Sequence, residues 1–203
     1  AFEFIGSRIS TDGRREYTLL SAETLTKHFP TALALTADLI LNPNFPDHEV
    51  ERVRREHLTE LRRGKDEPNA VAEQLMAGLV FNRDSGYGHS LSGTEASIGA
   101  LTRNDMMSQF KRDYSPPNAN LIVVGDVSID EVVKRAESVF GSWKGGDSSA
   151  NGKAEVMPSN GVATIYLVDR PGAPQSVIRA LHTTIPRLHP DYLGLTLMNY
   201  AFG

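Results

Sequence analysis

A histidine and a glutamate three residues apart, His57 and Glu60, have the residue types and spacing that could bind a metal. Residues 46–63 carry acidic side chains early and basic side chains late, an order typical of a helix because it complements the helix dipole. At about 100° per residue, Val53, His57 and Glu60 fall within a narrow arc beside Leu61 on the apolar stripe. The spacing therefore predicts that Glu60 borders the buried face, where a carboxylate binds a metal or pairs with a buried cation. The alternative is that Glu60 lies at the edge of the stripe and extends into solvent, with His57 a packed histidine.

The five residues from His57 to Leu61 read H-L-T-E-L and differ at one position from the zinc motif H-x-x-E-H. In that motif both histidines bind zinc and the glutamate is the general base. Leu61 stands where the second histidine must be. One imidazole and one carboxylate cannot complete a site of three protein ligands. The near-match is therefore interpreted as a coincidence, and it predicts no catalytic residue.

Two other short stretches have the residue types of known sites. Residues 88–92 (G-H-S-L-S) resemble a nucleophile elbow, but they end in Ser where Gly is needed and follow no predicted strand. Residues 124–126 (V-G-D) lack the Gly-rich run and the Lys of a phosphate-binding loop. We therefore predict a loop and a plain turn at these positions. The remaining histidines, which show no metal-ligand spacing, are His28, His48, His89, His182 and His189.

The composition restricts the class of protein. The 203 residues include 21 Lys+Arg and 25 Asp+Glu, a net charge of −4, with no dominant basic block. We therefore expect no nucleic-acid partner. The chain has no cysteine, which excludes thiolate catalysis, disulfides and Cys-ligated metals, and both the periplasm and the cytoplasm remain compatible. No apolar run approaches the roughly 20 residues of a membrane span.

Hydrophobic periodicity and turn residues predict a mixed α and β chain. The predicted helices are 29–41, 46–63, 68–81, 102–114, 128–140 and 190–202, and the predicted strands are 7–11, 16–23, 119–125, 162–168 and 175–183. A turn around Asp12-Gly13 is predicted to join the first two strands as a hairpin, with Arg14 and Arg15 lengthening the loop. Capping boxes are predicted at Thr102 and at Ser128. Residues 1–5 are typical of the end of a helix that Gly6 closes.

Several short stretches follow one another in a fixed order along the chain. They are F-E-F-I-G (2–6), L-I-L-N-P-N-F (39–45), K-D-E-P (65–68), S-G-T-E (92–95), Y-S-P-P-N (114–118), L-I-V-V-G-D (121–126) and D-R-P-G-A-P-Q-S (169–176). In this order and spacing they resemble the insulinase/pitrilysin family of zinc metallopeptidases, which includes the mitochondrial processing peptidase. The resemblance covers nearly all of the chain, and Y-S-P-P-N leading into L-I-V-V-G-D is its most specific part.

This resemblance implies an α+β fold in which an antiparallel sheet has helices packed on one face, used in homologous halves that close a peptide-binding chamber. Active members bind zinc through both histidines of H-x-x-E-H and a distant Glu. By register with the pair Glu51-Arg52, Glu60 matches that distant Glu, and it would bind zinc only if an H-x-x-E-H motif lies upstream. The chain resembles a fragment that lacks the motif, so the resemblance implies no zinc bound to this chain alone.

Two departures from the family pattern bear on activity. Active halves usually carry another Glu seven residues before the Glu ligand, and Val53 stands there in this chain. They also commonly read Asn-Ala-aromatic-Thr on the strand after the Gly, whereas this chain has S-T-D-G at residues 10–13. Both departures remove groups that would contact metal or substrate, which favours the non-catalytic half.

Three functional hypotheses follow from the resemblance. The first is a non-catalytic half, or partner subunit, that helps to hold a peptide or unfolded polypeptide beside a catalytic half of the same family, with strand addition at a sheet edge as the binding mode. The second is a fragment of a catalytically active zinc metalloendopeptidase half whose zinc motif lies upstream. The third is a structural subunit of a larger complex, like the core subunits of the respiratory cytochrome bc complex.

The chain is predicted to divide into unequal parts. Residues 1–143 would form the main part of one unit, and residues 144–161, rich in Gly, Ser, Asp and Asn, would be a linker. Residues 162–203 would be the opening strands and helix of the following unit. Because strand edges without partners are sticky, we expect these strands to dock on the sheet of residues 7–23 and 119–125, within the chain or between two copies.

Overall fold

The computed structural model describes residues 2–81, 83, 85–146 and 163–202. The chain divides into two compact units, the first made of Ala1–Arg62 with Leu91–Gly152 and the second of Arg63–Ser90 with Lys153–Gly203. Residues 63–90 thus group with the end of the chain, whereas the sequence placed them in the first predicted unit. Most of the predicted linker, from residue 147 onward, lies outside the described residues. The docking of residues 162–203 on the first sheet stays a prediction.

Helices and one hairpin form the described secondary structure. The α-helices are α1 (Phe29–Leu41), α2 (Asp47–Gly64), α3 (Pro68–Val80), α4 (Glu95–Ala100), α5 (Arg103–Asp113), α6 (Ile129–Phe140) and α7 (Tyr192–Phe202). In the described residues the sheet consists of two antiparallel strands, β1 (Arg8–Gly13) and β2 (Thr18–Glu23). The predicted α+β class with an antiparallel sheet is confirmed. No helix in the described part of the chain combines the length and hydropathy that a membrane span requires.

The helix predictions agree closely with the structure. Helix α1 has the predicted bounds, and the bounds of the other predicted helices differ by at most two residues. Helix α4 was missed, because six residues are too few for periodicity to show. Its start is fixed by Thr94, whose hydroxyl accepts from the Ser97 N–H at 3.1 Å, while the Ser97 hydroxyl accepts from the Thr94 N–H at 2.9 Å.

The capping predictions are confirmed at one helix and half confirmed at another. At α5, Thr102 and Asp105 form the full reciprocal box. At α6, the Ser128 hydroxyl accepts from the Glu131 N–H at 3.3 Å. The Glu131 carboxylate, however, accepts from Arg135 at 2.9 Å instead of returning to Ser128, because the i,i+4 partner competes for it.

The hairpin differs from its prediction in the position of the turn. Asp12 and Gly13 lie within β1, where Gly13 pairs with Thr18, so the predicted position of the turn at Asp12-Gly13 is wrong, while Arg14 and Arg15 do belong to the loop. The chain reverses at residues 14–17, and the Arg14 N–H donates to the Tyr17 carbonyl at 2.8 Å. The Asp12 carboxylate accepts from Arg14 Nε at 2.7 Å, so this side chain braces the longer loop. Near the start of the chain, Gly6 (φ 65°) closes a short 3-10 turn in place of an α-helix.

The first unit has a small core. Helix α1 packs against α6. Three of the buried apolar side chains of this core belong to α1, namely Ala32, Leu33 and Ala37. The loop from α1 to α2 is held by Arg103, whose guanidinium donates to the carbonyls of Phe45 and Asn44 at 2.8 Å each. Phe45 adopts a positive φ of 41°, and its ring meets Phe110 edge-on at 5.9 Å. These contacts fix where α2 begins.

Three predicted strands do not form in the described residues. Residues 119–125, 163–168 and 175–183 belong to no strand, so these predictions are wrong, and residue 162 lies outside the described part. A strand exists through hydrogen bonds to a neighbour. Among the described residues only β1 and β2 pair in a sheet, and the apolar side chains of Val124 and Ile165 are almost fully exposed.

Candidate functional site

Helix α2 carries the candidate residues, and polar contacts more than apolar ones hold its inner face. Leu61 is the buried residue of the helix. On the same side, Arg54, His57 and Arg62 reach the segment 91–100, which contains α4. These positions follow helical spacing, so one face of α2 is fixed against that segment.

Arg54 makes the most buried of these contacts. Its side chain is only 16% exposed, and it pairs with Glu51 at 3.0 Å. Its Nη1 donates to the carbonyls of Ile98 at 2.8 Å and Gly99 at 3.1 Å. These carbonyls lie in the last turn of α4, where the helix dipole favours a cation. Arg54 therefore fixes α2 to the C-terminal end of α4.

Two further contacts fix the other end of the same segment. His57 Nε2 lies 2.8 Å from the carbonyl oxygen of Ser92, and because a carbonyl only accepts, the imidazole donates from Nε2. Arg62 Nε donates to the Glu95 carboxylate at 2.9 Å. The Nε2 atom of His57 is thus engaged with the backbone and is not free to bind a metal.

Glu60 lies beside this inner face. It is exposed, as is Val53, seven residues earlier. Glu60 precedes the buried Leu61 by one residue, which places it about 100° away around the helix. The prediction that Glu60 borders the buried face is therefore wrong, and the alternative position in solvent is what the structure has. The inner face is centred on Arg54, His57 and Leu61, since the segment 91–100 packs there.

The residues present do not form a zinc site. A catalytic zinc needs three protein ligands. Within the described residues, no group of three or more His, Asp or Glu side chains is arranged to hold a metal ion. Glu60 has the exposure that a ligand shared with another segment would need. The assignment of Glu60 as a zinc ligand stays a prediction.

The N-terminal half of α2 carries an exposed ion network. Arg52 pairs with Glu49 and with Glu56, both at 2.8 Å. The hydrogen bond and charge of Arg52 hold the pKa of the Glu49 carboxyl below its usual value. The hydrogen bonds and charges of Glu49 and Glu56 raise the pKa of Arg52 in turn. This network stabilises the helix and leaves Glu60 outside it.

The remaining candidate stretches are local structure. Residues 88–92 form turns and bends outside any helix or strand, as predicted for a loop. At residues 124–126 the Val127 N–H donates to the Gly125 carbonyl at 3.0 Å, a plain turn as predicted. His182 contacts the Thr183 carbonyl at 2.7 Å, and His189 lies 3.7 Å from Asp191. These histidines have backbone or neighbouring partners, in keeping with their lack of ligand spacing.

In the second unit, two arginines form hydrogen bonds with the turn between α2 and α3 and the start of α3, and we call these contacts the latch. Arg170 donates to the Lys65 carbonyl at 3.1 Å and to the Asp66 carboxylate at 3.4 Å. Arg179 donates to the Asn69 side chain at 2.6 Å. The stretch D-R-P-G-A-P-Q-S is thereby held against K-D-E-P, two of the stretches that carry the sequence resemblance.

The contacts of Arg54, His57 and Arg62 with residues 91–100, which we call the clamp on α2, were missed by sequence reasoning. The partners of Arg54 are backbone carbonyls more than forty residues away, and carbonyls have no sequence signature. The pair Arg62–Glu95 spans 33 positions, and in one sequence it looks like any other two surface charges. Helical spacing from Leu61 was the available signal, and it would have placed Arg54 on the inner face.

Comparison with known proteins assigns the family of both parts of the chain. Residues 1–95 match the family model described as Insulinase (Peptidase family M16). Residues 100–203 match the model described as the peptidase M16 inactive domain. Together the two matches cover almost the whole sequence, and they agree with the resemblance in the sequence.

Curated relatives are longer proteins. The uncharacterized zinc protease YmxG of Bacillus subtilis is 28% identical over 155 residues, which are 76% of this chain and 36% of that protein. The human mitochondrial-processing peptidase subunit beta is 24% identical over 204 residues, which are 99% of this chain and 40% of that protein. The chain thus spans less than half the length of the curated relatives that it matches.

Solved structures share the fold. A peptidase M16 inactive domain from Pseudomonas fluorescens superposes with a TM-score of 0.70 at 21% identity, covering 75% of this chain and 37% of that one. A protease from Helicobacter pylori superposes with a TM-score of 0.65 at 20% identity, covering 76% and 37% of the two chains.

Proposed function

Because the chain belongs to the insulinase family of peptidases (family M16), we propose that it serves as part of a non-catalytic half, which shapes a peptide-binding chamber beside a catalytic half. The relatives named zinc proteases place zinc in the chemistry of the family. In this proposal the zinc and the general base come from the catalytic half, and this chain contributes surface that holds an unfolded polypeptide.

The observation that carries the proposal is the surface of α2. The side that would face a metal in an active half presents Val53 and Glu60, both exposed. Val53 is apolar where the family pattern has a second carboxylate, and a valine cannot orient a metal-bound water. The match of residues 100–203 to the inactive-domain model supports the same assignment.

A partner is part of the proposal. The mitochondrial-processing peptidase beta chain is named as a subunit, which implies assembly with another chain in that protein. We extend this arrangement to the present chain as one of two halves. Extended substrate would add to a sheet edge, where main-chain hydrogen bonds bind a peptide with little demand on its sequence.

A second candidate rests on Glu60 itself. Glu60 is exposed on α2, and its side chain makes no hydrogen bond or ion pair within the described residues. A carboxylate in this state could complete a zinc site with two histidines on another segment. In that case the chain would be part of a catalytically active zinc metalloendopeptidase half.

Binding to a permanently unfolded protein tests the proposal. The probe is fluorescein-labelled lactalbumin, reduced and carboxymethylated so that it cannot refold, and the readout is fluorescence anisotropy with the chain in excess. We expect saturable binding that EDTA leaves unchanged and that native lactalbumin does not compete for. Absence of binding would contradict the chamber role, whereas zinc-dependent cleavage of the probe would favour the second candidate.

A further inference from the structure

Ser115 is a buried polar residue of the first unit that the candidate site on α2 does not use. It lies in the stretch Y-S-P-P-N, directly before the short 3-10 turn Pro116–Asn118. It is only 3% exposed, and within the described residues its hydroxyl has no hydrogen-bond partner. Its backbone is satisfied, because the Asn118 N–H donates to the Ser115 carbonyl at 3.0 Å. A buried hydroxyl without a partner is unfavourable, since it loses its hydrogen bonds to water and gains none in return.

The backbone of Gly146 lies directly against the Ser115 side chain. A Cβ added at Gly146 would overlap both the Cβ and the Oγ of Ser115. Gly146 also has a positive φ of 79°, and Gly145 has one of 102°, which are conformations that residues with side chains disfavour. Space and φ therefore both select glycine at position 146. At position 145 φ alone does, because a Cβ there would meet no atom within 4 Å.

Residues 144–146, which we call the strap, follow a fixed point at the end of α6. That point is Trp143, whose N–H donates to the Phe140 carbonyl at 2.8 Å and whose ring lies 5.9 Å from the Phe140 ring. The contact of Gly146 with Ser115 is a second fixed point, three residues further along the chain. Lys144, between the two points, is exposed. The strap is therefore held at both of its ends, and one of these contacts buries the hydroxyl that lacks a partner.

We propose that the strap is a conformational device that opens and closes over Ser115. The closed state gains the packing of Gly146 but hides a hydroxyl from water, whereas the open state hydrates this hydroxyl and returns backbone entropy to the two glycines. These opposing contributions keep the free-energy difference between the states small, as in segments that open locally. Opening moves the last fixed point after α6 from Gly146 back to Trp143. It releases three residues, up to about 10 Å of extended chain, at the start of the predicted linker. The device does not depend on the proposed non-catalytic role.

Trypsin cleavage after Lys144 measures the open state, because the rate of proteolysis follows the open population when opening is fast. We expect Ser115→Ala to lower the rate about fivefold, because removal of the hydroxyl stabilises the closed state. Gly146→Ala should raise the rate about fivefold or more, because the new Cβ overlaps Ser115 and φ is strained. Each rate is divided by that of a synthetic peptide of residues 140–150 with the same sequence, which corrects for the preference of the protease.

Gly145→Ala is the matched control, since it strains φ without an overlap. Ser115→Gly should therefore slow cleavage more in the Gly146→Ala background than in the Gly145→Ala background. Cleavage after Arg55, within α2, should be the same in all forms, because the strap opens without global unfolding. The proposal is overturned if Ser115→Ala leaves the Lys144 rate unchanged or raises it, because the hydroxyl then does not oppose closure. It is also overturned if Ser115→Gly acts equally in both backgrounds, or if the Arg55 rate follows the Lys144 rate.

Discussion

His57 Nε2 donates to the carbonyl oxygen of Ser92 at 2.8 Å, and this contact orients the helix that carries Glu60. Together with the contacts of Arg54 and Arg62 it fixes the inner face of α2 against residues 91–100. Since Glu60 lies about 100° around the helix from Leu61, the same contacts keep its carboxylate in solvent. The proposal of a non-catalytic half depends on what the exposed side carries, a valine at position 53 where the family pattern has a second carboxylate.

The clamp on α2 predicts unequal roles for two arginines of the same helix. Arg54→Ala is expected to lower the free energy of unfolding by about 2–3 kcal/mol, because two carbonyls of α4 lose a charged donor. The matched control is Arg52→Ala, where the side chain is 50% exposed and the loss should be clearly smaller, because exposed ion pairs contribute little to stability. Urea unfolding followed by the fluorescence of Trp143, the single tryptophan, measures both. Equal losses in the two variants would contradict the clamp.

The cap of α5 predicts a dependence of stability on pH. Hydrogen bonds from the Thr102 side chain and backbone hold the pKa of Asp105 below its ordinary value of 3.8. A carboxyl with a lowered pKa in the folded state stabilises the protein above its unfolded pKa, and this stabilisation is lost as the pH falls through the folded value. Asp105→Ala should therefore destabilise the chain at neutral pH, and its difference from the wild type should shrink in acid.

Thermal unfolding between pH 7 and pH 2 measures this difference, and Asp130→Ala provides its control. Asp130 also lies in the first turn of a helix, α6, but caps no N–H there. Its effect should be smaller at neutral pH, because a dipole interaction alone is weaker than a hydrogen-bonded cap. A difference for Asp105→Ala that stays constant down to the lowest pH would show that the cap does not depend on the carboxylate.

The surroundings of Glu60 predict that the chain binds zinc only weakly. One carboxylate, with His57 Nε2 engaged by Ser92, offers too few ligands for tight zinc binding. Isothermal titration calorimetry with zinc should detect no submicromolar site, and Glu60→Ala should titrate like the wild type. Tight binding that disappears in Glu60→Ala would mean that other residues complete a site with it.

The latch in the second unit predicts a local change in amide exchange. Arg170→Ala removes the donor to the Lys65 carbonyl, so the turn after α2 should open more often. The amides of Asp66 and Glu67, bonded to Arg63 and Gly64 in this turn, should exchange about fivefold faster, equivalent to about 1 kcal/mol. Arg187→Ala, which removes a cation–π contact with Tyr192, should leave these amides unchanged. Equal rates in wild type and Arg170→Ala would show that the latch is not needed.

Sequence reasoning was most successful where the signal is local. The bounds of α1 and the capping box of Thr102 with Asp105 follow from spacing and side-chain chemistry within a few residues. It failed where a distant partner decides. Residues 119–125 and 163–168 have the composition of buried strands, but a strand also needs a neighbour, which these residues lack in the described part of the chain.

At the candidate site, too, local signals in the sequence were read correctly and contacts with distant residues were not. The sequence resemblance singled out Glu60, and the family is confirmed by both family models. The side of α2 that faces inward was predicted wrongly, because the helical spacing was read as if apolar residues alone mark the inner face. Arg54 and His57 occupy that face and satisfy backbone carbonyls, and no periodicity of hydrophobic residues reveals such a contact.

The central proposal is that this chain is part of a non-catalytic half, and peptidase activity tests it most directly. The chain is incubated with a quenched fluorescent peptide, once with EDTA and once with added zinc. The account predicts no turnover in either case, because Leu61 stands where the second zinc-binding histidine of the motif must be. Turnover that EDTA abolishes, that zinc restores and that Glu60→Gln removes would contradict the account and assign the chain to a catalytic half.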